Sequence, residues 1–117
     1  MKDGKQSEKV FDIASSDGRK PDPKTGKIKP VGNTVDAKTA TYQNTIGDTE
    51  LSVVWTDPEF DSKVAAVYYL RVLEIPTPRW STILAAKNNV PVPPQLPVSI
   101  QERGWSSPIW YTPLTTK

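Results

Sequence analysis

Asp57, Glu59 and Asp61 alternate within Trp55-Thr56-Asp57-Pro58-Glu59-Phe60-Asp61, and this is the chain's nearest approach to a cation site. A calcium loop needs more oxygen ligands than these, a glycine at its sixth position and an acid at its twelfth. Counted from Asp57, those positions hold Ser62 and Tyr68, so the loop reading fails and a turn opened by Asp-Pro is the better account. The chain contains neither histidine nor cysteine. Histidine triads, imidazole acid–base catalysis, thiol catalysis, disulfides and the commonest zinc and iron sites are thereby excluded. Glu74 and Glu102 stand isolated in the sequence and form no carboxylate pair for hydrolysis. No catalytic residue, metal ligand or cofactor-binding residue is expected.

Two arginines and the tryptophans remain as candidates for contact with a ligand or a neighbouring domain. Arg71 lies inside an apolar run, where an unpaired charge is costly. Its plainer reading is a pair with Glu74, Glu102 or an aspartate, or a head group reaching the sheet edge. Arg79 sits between Pro78 and Trp80 in a loop, the kind of segment where functional residues concentrate. Of the four tryptophans, Trp55 alternates with core-type residues and is expected to be buried. Trp80, Trp105 and Trp110 are the candidates for a sugar-stacking platform, against a default use as apolar packing.

The element that positions these side chains is Ala65–Ile75. Alternate positions place Val67, Tyr69, Leu73 and Ile75 on one face, and Ala66, Tyr68, Leu70 and Val72 on the other. Both faces are mostly apolar, with Arg71 on the first and Glu74 at the end of the second, which predicts a central strand covered on two sides and stopped by Pro76 and Pro78. Val10–Ala14 is a short candidate strand, and residues 15–30 form a long surface loop. Lys38–Ile46 and Leu51–Thr56 flank Gly47-Asp48, a hairpin signal of type II′. A short helix is expected over 80–89, capped by Ser81 or Thr82 and stopped at Asn88-Asn89. Residues 90–98, Val-Pro-Val-Pro-Pro-Gln-Leu-Pro-Val, are extended. Ser99–Arg103 and Trp105–Tyr111 supply the last strands, with Pro108 holding the final one to an edge or a bulge. The expected fold class is all-β: an antiparallel β-sandwich, Ig-like or partial, with one short helix and long Pro-rich loops.

With 117 residues the chain has room for a single β domain over 1–117. Its net charge of +2 is too small to argue for nucleic acid, and it is uneven. Residues 1–30 carry eight Lys/Arg against five Asp/Glu, which marks that basic stretch as a solvated segment. No apolar run approaches the length of a membrane-spanning helix, and Met1-Lys2-Asp3-Gly4 does not open a signal peptide.

Three segments taken together resemble the carboxyl-terminal part of the bacterial family DUF3604. They are Trp55-Thr56-Asp57-Pro58-Glu59-Phe60-Asp61, then Tyr68-Tyr69-Leu70-Arg71-Val72-Leu73-Glu74-Ile75-Pro76-Thr77-Pro78-Arg79-Trp80, and finally the closing run from Ile100 to Pro113. Val31–Asp36 and Thr39–Gly47 resemble the same region, so the likeness covers about Glu8 to Pro113. Gly104 departs from the residue more usual there. The resemblance implies a β-rich tail following a metal-dependent phosphoesterase-like barrel of the PHP type, whose His-x-His motif has no counterpart in a chain without histidine. It further implies that this chain is a carboxyl-terminal fragment without enzyme activity of its own. Its expected partner is then the catalytic domain that it completes, and Arg71 or Arg79 would point toward an anionic substrate held there. Exported members make a periplasmic setting compatible with the resemblance. The alternatives are a stand-alone carbohydrate-binding module that uses exposed tryptophans, and a structural protein that forms homo-oligomers through an open sheet edge.

Overall fold

The computed structural model describes Gly4 and residues 6–114. Its organising element is a long antiparallel ribbon, made of β1 (Ala66–Tyr68) and β2 (Arg71–Pro78) on one side. They pair with β4 (Ile109–Tyr111) and β3 (Ser99–Trp105), respectively. Ala66 lies opposite Tyr111 at one end and Pro78 opposite Ser99 at the other. Between the two paired sections the Ser106 Oγ accepts the Leu70 N–H at 2.9 Å, while the Ser106 N–H donates to the Leu70 carbonyl at 3.0 Å. The ladder resumes only after Pro108, which cannot donate to it. A second irregularity lies in β2, where the three-residue step from Leu73 to Pro76 lies against the two-residue step from Arg103 to Gln101. That bulge sits just before the two prolines of β2.

Helix α1 (Trp80–Lys87) and residues 88–98 connect β2 to β3, and the run expected to be extended over 90–98 is broken by a turn in which the Leu96 N–H donates to the Pro93 carbonyl at 2.9 Å. The expected stop at Asn88-Asn89 is present as a Schellman closure. Asn89 adopts φ 53°, its N–H donates to the Ala86 carbonyl, and the Val90 N–H donates to the Ala85 carbonyl. The expected cap at Ser81 or Thr82 is not. Arg79 is the N-cap residue and supplies no side-chain hydrogen bond. Thr82 is instead turned inward and donates its hydroxyl to the Val98 carbonyl at 2.7 Å, fastening the helix to the chain that enters β3.

The strand, helix and coil composition matches the all-β expectation with one short helix, but the described residues do not build two facing sheets. The physical reason lies in the segments expected to supply the rest. Val10–Ala14 joins no ladder, and Lys38–Ile46 and Leu51–Thr56 do not pair with each other. What forms there is a single bridge between Asp36 and Thr41, closed by Ala40 at φ 52°. The expected burial of Ala65–Ile75 on both faces is likewise corrected. Val67, Tyr69, Leu70, Val72 and Leu73 are all exposed, because a two-stranded ribbon presents both of its faces.

The consequence is measurable across the whole molecule. Its accessible surface is 10,147 Å², against about 6,300 Å² for a compact monomer of this mass. Its radius of gyration is 19.8 Å, against about 13 Å for a compact chain of this length. Among the described residues Ala85 is the one buried apolar side chain. The molecule is a rod of 70 × 30 × 26 Å with its apolar side chains on the outside.

Candidate functional site

The ribbon spaces the sequence candidates along its length. Trp110 on β4 lies opposite Val67, Arg71 on β2 lies opposite Trp105, and Arg79 and Trp80 stand beyond the last pair, Pro78 and Ser99. Arg71 and Arg79 are eight positions apart, roughly 25 Å along an extended strand. The candidates therefore line a rod, and no single pocket gathers them.

Arg71 finds neither Glu74 nor Glu102. Its guanidinium lies over the Trp105 ring, 5.6 Å from the centroid, and the other side of this cluster is Tyr69, whose ring centroid is 5.7 Å from that of Trp105. The cross-strand register creates this cluster by setting Arg71 directly opposite Trp105. An arginine can sit in an apolar run here because the run is exposed and the indole face takes the cation. The Tyr69 hydroxyl donates to Glu8 Oε1 at 3.2 Å, bringing the amino-terminal segment alongside the ribbon.

Arg79 is held through its backbone. Its N–H donates to the Val98 carbonyl at 3.1 Å, and its carbonyl accepts the Ile83 N–H at 3.0 Å. Its Nε is buried without a hydrogen-bond partner among the described residues, as is the Ser81 hydroxyl two residues further on. Trp80 and Trp110 project outward, 67% and 74% exposed. Trp55, expected in the core, is 37% exposed and packs on Phe11, with ring centroids 5.1 Å apart. Its alternation with Leu51 and Val53 marks an apolar face that the described residues leave uncovered.

The three alternating carboxylates are dispersed by their own turns. Asp57 Oδ1 accepts the Glu59 N–H, and its Oδ2 accepts the Tyr68 hydroxyl at 2.8 Å. That hydrogen bond to Asp57 is the main reason the Tyr68 phenol titrates above its ordinary range. Glu59 pairs with Lys9, and Asp61 accepts the Lys63 N–H. Among the described residues no three acidic side chains come together as a metal cluster.

Sequence reasoning missed two features. One is a shallow cleft of about 540 Å³ lined by Ala40, Thr41, Tyr42, Thr77, Pro78 and Ile83, where the bridge at Asp36 and Thr41 meets the end of β2. The other is the node formed by Asp17, Gly47 and Ile75. The Gly47 N–H donates to Asp17 Oδ2 at 3.0 Å, and Gly47 lies directly against the Ile75 side chain. Hydrogen bonds from the Ser16 hydroxyl and the Gly47 N–H hold the Asp17 carboxyl below its ordinary range, with Arg19 adding to the effect.

The fold and its surface define an extended β-ribbon protein whose apolar side chains face outward. The chain belongs to DUF3604, a family of proteins of unknown function, whose model matches residues 1–113. No curated protein matches the chain, and no solved structure does.

Proposed function

We propose that this chain is a non-catalytic part of a larger DUF3604 protein, which packs along a metal-dependent hydrolase domain and completes it. The observation that carries this reading is the accessible surface of 10,147 Å², some 3,800 Å² beyond the roughly 6,300 Å² of a compact monomer. An excess of that size is several times one partner's share of a standard protein–protein contact, about 800 Å². Val67, Leu70, Val72 and Leu73 along the ribbon, and Leu51 and Val53 beside it, supply apolar area for such a contact. Packed in this way, the ribbon would contribute one layer of a sandwich whose other layer lies outside this sequence. A chain without histidine brings no imidazole ligand to the metal, so its part in the reaction is structural.

The experiment is to prepare the 117-residue chain alone and together with the histidine-containing region of a DUF3604 protein. Alone, it should turn over no generic phosphoester with Mn²⁺ or Zn²⁺, and its scattering radius should stay near that of a rod. With the second polypeptide it should co-elute and lose its exposure of apolar surface to a fluorescent dye. Turnover by the isolated chain, or a compact isolated chain, would overturn the reading. The exposure of Trp80 and Trp110 favours a carbohydrate-binding reading as the competitor, and quenching of tryptophan fluorescence across a glycan panel would support it.

A further inference from the structure

The two edges of the ribbon differ in a way that decides which one can accept another strand. The Arg79 N–H donates to the Val98 carbonyl, and the Ser106 N–H donates to the Leu70 carbonyl. Because antiparallel pairs alternate, these bonds fix the direction of every amide between them. On β3, Ile100, Glu102 and Gly104 direct their backbone groups toward β2, while Ser99, Gln101, Arg103 and Trp105 direct theirs outward. On β2 the outward positions include Pro76 and Pro78, which have no N–H to offer, and the bulge after Leu73 falls among them. The outer edge of β2 is therefore blunted. The outer edge of β3 keeps four donors and four acceptors in regular register, without proline or bulge. Gln101–Trp105 is exposed throughout and no strand of the described residues pairs with its outer edge.

A second copy of the chain fits this edge poorly. The longest antiparallel self-overlap, with Ser99 opposite Trp105, sets Glu102 against the Glu102 of the other copy. A shift of two residues one way sets Arg103 against Arg103. Like charges directly opposite one another are destabilising. The remaining five-residue overlap, centred on Gln101, leaves Trp105 unpaired. Neither Glu102 nor Arg103 has an ionic partner among the described residues. Those two charges suit a strand of different sequence, with an acid opposite Arg103 and a base opposite Glu102.

We propose that the outer edge of β3, Ser99–Trp105, is an acceptor for one extended heterologous segment, added antiparallel, with an acidic side chain facing Arg103 and a basic one facing Glu102. This is strand addition to an open sheet edge, in which main-chain hydrogen bonds give affinity and alternate side chains give selectivity. The inference rests on the reading that the chain packs against another domain, and supplies the chemistry of one contact in it.

The test uses the 117-residue chain and a capped peptide, Val-Thr-Glu-Lys-Thr-Val-Thr, which places glutamate opposite Arg103 and lysine opposite Glu102. On addition of the peptide, the amides of Gln101, Arg103 and Trp105 should exchange with solvent at least tenfold more slowly, while those of Ile100, Glu102 and Gly104 stay as they were. Exchanging glutamate and lysine in the peptide should weaken binding about tenfold. Gln101→Pro removes one outward donor and should abolish the protection. Glu102→Lys combined with Arg103→Glu leaves the backbone intact and should reverse the preference between the two peptides, which keeps the test decisive if the proline variant misfolds. Protection along β2, equal binding of both peptides, or no protection at millimolar peptide would overturn the proposal. Concentration-dependent protection of the same amides without peptide would also overturn it, in favour of a second copy. None of these outcomes involves the hydrolase domain, so failure here is distinguishable from failure of that reading.

Discussion

Gly47 lies so close to Ile75 that a Cβ added to it would fall 2.7 Å from Ile75 Cγ2, at a backbone φ of +80°. The same residue donates its N–H to Asp17. Gly47 thus ties a loop thirty residues upstream and the bulged part of β2 into one node, in a molecule with few buried contacts. Its positive φ is the property that the Gly47-Asp48 pair advertises in the sequence. The chain spends it on close approach to Ile75 and not on a hairpin turn.

Gly47→Ala should therefore destabilise the ribbon by about 2 kcal/mol, combining the cost of a left-handed backbone with that of overpacking. Gly47→Asn tolerates the backbone conformation but keeps the steric conflict, so it should recover only part of the loss. Amide exchange along β2 and β3 measures both. Equal exchange in Gly47→Ala and the parent chain would show that the node does not hold the ribbon.

Acid should loosen this node only once the pH falls below the ordinary aspartate range. The Asp17 carboxyl is held below its ordinary value of 3.8 by hydrogen bonds from the Ser16 hydroxyl and the Gly47 N–H, then by Arg19. A depressed folded-state value means a contribution that is fully present above the unfolded value and is lost as pH falls through the folded one. The window accordingly lies below pH 3.8. A proton titration that follows the Gly47 amide should show a midpoint below that of an unstructured aspartate, and Asp17→Asn should abolish it. A midpoint at or above the ordinary value would remove the carboxylate from the node.

The parts of the fold that were legible in the sequence are those specified locally. Asn88-Asn89 ends the helix because an asparagine accepts the left-handed conformation that the closure needs, and Pro108 interrupts the last strand because it has no N–H to give. The strands expected over Ser99–Arg103 and Trp105–Tyr111 are present as Ser99–Trp105 and Ile109–Tyr111, so their existence was visible from composition and alternation but the break between them fell at residues 106–108 and not at Gly104. Burial was not legible. The apolar faces of Ala65–Ile75 and of Leu51, Val53 and Trp55 read as covered faces, yet the described residues leave them largely exposed, because alternation records the polarity of a face and not what lies against it. Arg71 shows the same limit from the opposite side. A charge in an apolar run suggests a buried ion pair, whereas an exposed ribbon lets it rest on Trp105. Of the candidate contact residues, the sequence supplied the identities and the register supplied their spacing along the ribbon.

Adjacent hydroxyls at the start of α1 should respond to removal with opposite signs. Ser81 is 8% exposed and its Oγ has no hydrogen-bond partner among the described residues, whereas Thr82 is fully buried and donates to the Val98 carbonyl. An unsatisfied buried hydroxyl carries its desolvation cost uncompensated, so Ser81→Ala should stabilise the chain by up to about 1 kcal/mol, with helix propensity acting in the same direction. Thr82→Val keeps the shape and loses the hydrogen bond that joins helix to ribbon, and should cost about 1 kcal/mol. Thr82→Ser retains the donor and should recover the hydrogen-bond part of that loss. Denaturant unfolding of the three variants reads all the signs together. If the proposed partner domain seats a polar group against this turn, the ordering for Ser81 should invert in the complex, because Ser81→Ala would then delete a contact made only across that interface. Stabilisation in the isolated chain with weakening of the complex would place Ser81 at that interface. Stabilisation in both would leave it a cost internal to the helix.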